Sequence, residues 1–181
     1  GYFGRDDMRF DLDEGSFINI RWGNTAFTGK WTHVFTPALF GNFMVARSKY
    51  TSSTSLSFFE TPIEFSNSIQ DVSMKGDLDF FASSHHSLNS GFLATWYDFT
   101  FNQSFNQDEQ LNLTEKPFLL SAYIQDLWQI RPTTSFRLGA RTDYFSEGKR
   151  LHFEPRVALS HQLNPEVRAK LGGGYYHQYL Q

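Results

Sequence analysis

Residues 70–80, QDVSMKGDLDF, alternate between two kinds of side chain from one position to the next. The even-numbered residues from 72 to 80 are apolar or glycine, and the odd-numbered residues from 71 to 79 are Asp, Ser or Lys. Successive side chains of a β-strand point to opposite faces of the sheet. The stretch therefore predicts a strand with one apolar and one charged face.

The same period of two recurs along most of the chain, whereas helical periodicity is nearly absent. Residues 134–144 and 153–163 repeat the alternation clearly, and residues 24–35 repeat it more weakly. Four further segments are strand-like without a settled facing: 39–50, 87–100, 118–130 and 167–177. The sequence thus predicts about eight strands.

The connections between these segments differ in length. Short turns are predicted at 36–38, 84–86, 131–134 and 164–166, each containing Pro or other turn-forming residues. Longer polar stretches separate them at 51–66, rich in Ser and Thr, and at 101–116, rich in Asn and Gln, while the third connection, 146–151, is short. The order favours antiparallel hairpins in an up-and-down meander.

Aromatic residues make up 18% of the chain, an excess over a polar average composition. They cluster beside the short turns and again about ten residues further on, which matches the roughly 9–11 residues of a membrane-crossing strand between two aromatic girdles. We expect an all-β fold, a transmembrane β-barrel, in which these rings lie at the lipid interfaces. The interface candidates are Phe35, Phe40, Phe80, Trp96, Trp128, Tyr144 and Tyr175.

Composition excludes several classes of protein. The 181 residues contain no cysteine, which excludes disulfide scaffolds, thiolate zinc sites and cysteine nucleophiles. The 16 basic and 19 acidic residues are spread along the chain and argue against nucleic-acid binding. His85 and His86 are adjacent and would point apart, which disfavours a metal site. No catalytic or cofactor-binding motif is present, so we predict neither an enzyme nor a bound cofactor.

Charged residues on the polar strand faces are expected to line the lumen of such a barrel. They could contact a plug or a passing ligand, or form a solvated wall of cross-strand charge pairs. The candidates are Lys75, Asp77, Asp79, Arg137, Arg141, Asp143, Glu154 and Arg156. In the hairpin of 135–145 and 153–163, we expect either Arg141 opposite Glu154 or Asp143 opposite Arg156, because Arg141 opposite Arg156 would be repulsive.

Two other architectures stay open at this point. A self-contained eight-stranded outer-membrane barrel would pair residues 1–10 with residues 167–177. A secreted β-sandwich binding module would instead pack Phe136, Val157 and Leu159 between two facing sheets.

Four segments in order resemble TonB-dependent outer-membrane receptors of the Bacteroidetes type. They are WGN (22–24) with KWTHVFTPALFGNFMVARSKY (30–50), SIQDVSMKGDLDFF (68–81) with SHHSLNSGFLATWY (84–97), AYIQDLWQIRPTTSFRLGARTDYF (122–145), and FEPRVALSHQLNPEVRAKLGGGYYHQYL (153–180).

The resemblance implies a bacterial outer-membrane location and energy-coupled uptake of a nutrient. Such receptors have a barrel of about 22 strands, a plug domain and an N-terminal peptide that contacts TonB. Neither plug nor peptide is present here, so we expect residues 1–181 to be a single segment from the middle of the barrel. Its partners would be outer-membrane lipid, the plug, the TonB complex through the missing N-terminal region, and a small ligand of unknown class captured by the loops at 51–66 and 101–116.

Overall fold

The computed structural model describes residues 1–13, 15–58 and 61–177 as an almost purely β structure. The strands are β1 (Tyr2–Asp13), β2 (Ser16–Thr36), β3 (Leu39–Phe58), β4 (Thr61–Phe81), β5 (His86–Phe105), β6 (Asp108–Glu115), β7 (Phe118–Arg131), β8 (Thr134–Phe145), β9 (Arg150–Gln162) and β10 (Arg168–Gly174). One short 3-10 turn, Glu147–Lys149, joins β8 to β9. Within the described ranges, no helix is long and apolar enough to cross a bilayer.

The strands form one up-and-down sheet. Their order is β1-β2-β3-β4-β5-β7-β8-β9-β10, and β6 pairs with β5 beside this path. In the described part of the chain, β1 pairs only with β2 and β10 only with β9, so the sheet is not closed. The alternative of a self-contained barrel is therefore wrong, because it requires the first and last strands to pair.

The all-β meander is confirmed, but the described residues form ten strands rather than about eight. β1 and β6 are the two that the sequence did not indicate. β6 has only two apolar residues, Leu111 and Leu113, between polar and charged ones, so its alternation is too short to predict a strand. The four short turns fall between strands where the sequence predicts them.

The polar stretches at 51–66 and 101–116 are strand rather than long loop. β3 continues to Phe58 and β4 begins at Thr61, while residues 59 and 60 lie outside the described ranges. β5 turns directly into β6 at Asn106 and Gln107, which have φ values of 51° and 68°. Positive φ at both central residues is the conformation that closes a two-residue hairpin. Polar residues on both faces hid these strands from a search for alternation.

The chain divides into two compact units. The first comprises Gly1–Gly29, Val45–Ser73 and Thr95–Phe118; the second comprises Lys30–Met44, Met74–Ala94 and Leu119–Gln181. In the first unit, β5 and β6 pair from Phe99 opposite Glu115 to Phe105 opposite Asp108. In the second, Arg141 lies opposite Glu154, which confirms one of the two predicted registers and excludes Arg141 opposite Arg156.

Burial is inverted relative to a water-soluble domain. Among the described residues, no hydrophobic side chain is buried, whereas seven polar or charged residues are. These are Ser16, Asn19, Ser57, Thr95, Ser121, Asp143 and Glu154. A β-sandwich is stabilised by the apolar inner faces of two packed sheets. Val157 and Leu159, which that alternative places in a core, are 44% and 40% exposed, so the sandwich prediction is wrong.

Gly91 of β5 tests how closely the neighbouring strands and side chains approach each other. A Cβ at this position would lie 2.5 Å from the carbonyl oxygen of Gly76 and 2.7 Å from the ring of Tyr123. We expect Gly91→Ala to lower the free energy of unfolding by about 1–3 kcal/mol through overpacking. Gly29→Ala is the matched control, because a Cβ there meets nothing within 4 Å. Heat-induced mobility shifts of the folded protein on gels measure both; equal midpoints for the two variants would contradict the described packing.

Candidate functional site

Two faces of opposite character run along β8 and β9. Leu138 lies opposite Val157, and both side chains are about half exposed. The alternate residues of each strand point to the other face. They include Arg141, which lies opposite Glu154. The candidate site is this second, polar face, together with the parts of β4, β5 and β7 that continue it within the second unit.

Asp143 is held in the centre of the polar face by Arg141 and Ser121. The Nε atom of Arg141 donates to both carboxylate oxygens of Asp143, at 3.0 and 2.9 Å. Its Nη2 atom donates to the Oγ atom of Ser121 at 3.0 Å. Ser121 is only 2% exposed and lies opposite Asp143 in the β7–β8 register. Charge-assisted hydrogen bonds of this kind stabilise the ionised carboxylate of Asp143 and fix its orientation.

Glu154 forms a second cluster on β9. Its side chain is almost fully buried and accepts from the Nη2 atom of Arg156 at 2.5 Å. Its other carboxylate oxygen accepts from the backbone N–H of His177 at 2.8 Å. The Arg156 guanidinium lies 4.8 Å from the ring centroid of Tyr176. The buried carboxylate is thus bonded from two sides.

Tyr123 of β7 reaches across a neighbouring strand to Asp77 of β4. Its hydroxyl donates to Oδ1 of Asp77 at 2.7 Å. The ring occupies the space beside Gly91 of the intervening strand, where a Cβ would collide with it. Lys75 pairs with the other carboxylate oxygen of Asp77 at 2.8 Å. These groups and Arg156 border a concavity of about 350 Å³.

The remaining charged candidates are less closely grouped. Asn89 donates to the carboxylate of Asp79. Arg137 is exposed and lies opposite Leu127 and Ala158, apart from the clusters. The structure therefore brings together seven of the eight predicted residues in local polar contacts.

Sequence reasoning missed Ser121, Tyr123, Asn89 and His177. Ser121 and Tyr123 share one parity within 118–130, so they belong to the same face. That segment also carries Asp126 on the opposite parity, which obscured the pattern. Asp126 pairs with Nδ1 of His86 at 2.7 Å, and the His86 ring stacks on Trp128. Only the strand register shows which residues share a face.

The interface candidates differ in their surroundings. Phe80, Trp96 and Tyr175 are exposed, and Tyr144 lies opposite Leu120 and Leu151. The ring centroids of Phe35 and His33 are 4.6 Å apart, and the His33 ring stacks on Trp31.

Phe40 has a different setting. Its ring meets that of Phe81 edge to face at 5.8 Å. Phe81 is two residues beyond Asp79 in β4, so the two side chains lie on the same, polar face of the sheet. The Phe40 ring of β3 meets Phe81 on that face.

The arrangement presents paired polar groups along the described strands. Its charges are ion-paired along strands or hydrogen-bonded across them, which provides a row of donors and acceptors for a polar surface or ligand. Within the described ranges, no group of three or more His, Asp or Glu side chains is placed to hold a metal ion.

Known proteins share the fold of this chain but not its sequence. The chain matches no protein-family model and no curated protein sequence. Its structure is similar to the ferripyoverdine receptor of the outer membrane of Pseudomonas aeruginosa, solved bound to ferripyoverdine, with a TM-score of 0.63 and 11% identity. That match covers 90% of this chain and 33% of the receptor. The likeness shows the fold alone: an open antiparallel meander like part of a β-barrel.

Two further structures share this likeness. The RagAB peptide transporter matches with a TM-score of 0.57 and 12% identity over 92% of this chain and 23% of that one. BauA, the ferric preacinetobactin receptor from Acinetobacter baumannii, matches with a TM-score of 0.52 and 11% identity over 82% of this chain and 29% of that one. The chain thus spans about a third or less of the structures that it resembles.

Tyr123→Phe tests the polar face directly. The change removes only the hydroxyl that donates to Asp77, so we expect a loss of roughly 1–3 kcal/mol in the free energy of unfolding, the range for a hydrogen bond to a charged group. Tyr97→Phe is the control, because the structure shows the Tyr97 ring stacked on Phe99 and no hydrogen bond from its hydroxyl. Denaturant unfolding followed by tryptophan fluorescence compares the two; an unchanged midpoint for Tyr123→Phe would show that the bond is not formed.

Proposed function

We propose that the chain is a segment of the barrel wall of a TonB-dependent outer-membrane receptor that takes up a small ligand. The observation that carries the proposal is the inverted burial: among the described residues, polar and charged side chains are buried, no hydrophobic side chain is, and many large apolar side chains are exposed. A barrel in a membrane requires this arrangement, because its outer face meets lipid and its inner face meets water.

The backbone favours the same proposal. Strands cross a bilayer only when neighbouring strands satisfy their N–H and C=O groups, as they do in a closed barrel. The chain provides a continuous antiparallel ladder from β1 to β10. Its two end strands would pair with further strands of the same receptor, so residues 1–181 would be one segment of one barrel domain. The plug domain and the TonB-contacting region would belong to other parts of the parent protein.

In this proposal, the face that carries Arg141, Asp143 and Glu154 lines the lumen and contacts the plug or the passing ligand. The face that carries Leu138, Val157 and Trp96 meets outer-membrane lipid. β2 to β5 have 20 or 21 residues each, about twice the length needed to cross the bilayer. Their ends away from the short turns would stand outside the cell, where the hairpins of β3–β4 and β5–β6 would take part in ligand capture.

The neighbouring structures carry siderophores or peptides by their own descriptions, and they are receptors and transporters rather than enzymes. The ligand of this chain is therefore proposed only as a small nutrient molecule. Mechanistically, capture at the outer hairpins precedes rearrangement of the plug, and the paired charges of the wall keep their positions while the plug moves.

Single cysteines test the assignment of faces, since the chain has none of its own. Leu138→Cys and Val157→Cys would face lipid, and Arg137→Cys and Ala158→Cys, each next to one of them in sequence, would face the lumen. In the full-length parent embedded in outer membranes, with any cysteine elsewhere replaced, we expect a small water-soluble maleimide to label the second pair at least tenfold faster.

Equal labelling of all four positions would overturn the transmembrane proposal, and the reverse order would overturn the assignment of faces. A cysteine at Gly148 in the β8–β9 turn provides a reference for full exposure, and fractionation of the labelled membranes gives the location of the parent.

A further inference from the structure

The apolar face changes character along β3 to β6 within the first unit. Val72 and Trp96 lie exposed on it, and the same concavity of about 320 Å³ is also bordered by Arg47, Gln70, Asp98 and Lys116. Alternation along β3 places Lys49 on the same face as Arg47. The basic side chains of Arg47 and Lys49 therefore lie next to the exposed apolar side chains of Val72 and Trp96 on this face.

A second, larger concavity of about 560 Å³ continues in the first unit. Lys49, Arg5 and Arg21 border it, and most of its remaining lining is hydroxyl or amide, including Thr51, Ser68 and Asn102. Such a lining combines fixed positive charge with many neutral hydrogen-bonding groups. It suits an anionic ligand that also carries several hydroxyl groups.

The charge of the two concavities does not cancel. Lys116 pairs with Asp98 at 3.1 Å and Arg21 pairs with Asp7 at 3.0 Å. Asp71 also borders the smaller concavity and keeps its charge, but alternation along β4 places it on the face opposite Val72, where Ser48 and Ser73 donate to its carboxylate. Arg5, Arg47 and Lys49 are exposed and form no ion pair with another described residue. Three cations are therefore available to a ligand.

We propose that these two concavities bind the phosphorylated headgroup of a glycolipid from the surrounding membrane. The inference rests on the proposed function, because it takes this face to be the one that meets lipid. Acyl chains would lie against Val72 and Trp96, phosphate groups would meet Arg47 and Lys49, and sugar hydroxyls would occupy the polar concavity near Arg5. Basic residues at a membrane surface attract anionic headgroups in this way, and arginine adds paired N–H donors for phosphate oxygens.

The test uses the full-length parent in detergent, with diphosphoryl lipid A as the probe and native mass spectrometry as the readout. We expect the triple variant Arg5→Gln, Arg47→Gln, Lys49→Gln to bind the probe on the order of a hundredfold more weakly. The matched control, Arg131→Gln, Arg168→Gln, Lys170→Gln, also removes two arginines and one lysine that are exposed, and it should bind as the unaltered protein does.

Two further probes distinguish a lipid headgroup from free phosphate as the ligand. Dephosphorylated lipid A should bind weakly, and inorganic phosphate should not displace the intact lipid. Equal binding of the dephosphorylated lipid would overturn the role of the cations, and displacement by inorganic phosphate would overturn the lipid as occupant. If the triple variant does not fold, as judged by its heat-induced mobility shift, the double variant Arg47→Gln, Lys49→Gln decides, with a loss of at least tenfold expected.

The outcome is distinguishable from failure of the proposed function. A parent that is located in the outer membrane and shows the expected cysteine labelling, but whose triple variant binds lipid A normally, would overturn this inference alone. A parent absent from the outer membrane would overturn the proposed function.

Discussion

The alternation of side chains across paired strands is the constraint on which the rest of the structure depends. A single sheet has only two faces, and residues 70–80, β8 and β9 place charge on one and apolar groups on the other. No second sheet covers the apolar face in the described part of the chain, where no hydrophobic side chain is buried. In water, such a face would remain exposed at a cost; in a bilayer, it meets its preferred environment.

The same alternation determines the chemistry of the polar face. Because the register is fixed, Arg141, Asp143 and Ser121 come from two neighbouring strands and meet without any loop to position them. Asp143 and Glu154 can be buried because each accepts from an arginine; removing a partner from a buried charge typically costs several kcal/mol. The result is a polar face whose charges are oriented by the strands themselves.

How far the sequence predicts this structure depends on the contrast between faces. Where apolar and polar residues alternate, as in 70–80 and 134–144, the strands and their short turns could be predicted, and the register of β8 and β9 could be narrowed to two, of which the structure has Arg141 opposite Glu154. Where only two apolar residues interrupt a polar segment, as in 51–58, 61–66 and β6, the alternation is too short to distinguish a strand from a polar loop. Tyr123 and Asp77, 46 residues apart, could not be paired in advance, because their contact depends on an intervening strand with a glycine at one position.

An experimental structure of the full-length parent in a lipid nanodisc tests the central claim most directly. We expect β1 and β10 each to pair, on the edge left open here, with strands from outside residues 1–181. The face with Arg141 and Asp143 should enclose the lumen, and the face with Leu138 and Trp96 should contact lipid. A direct pairing of β1 with β10, or a second sheet packed against Leu138 and Trp96, would contradict the interpretation of this chain as a segment of a larger barrel wall.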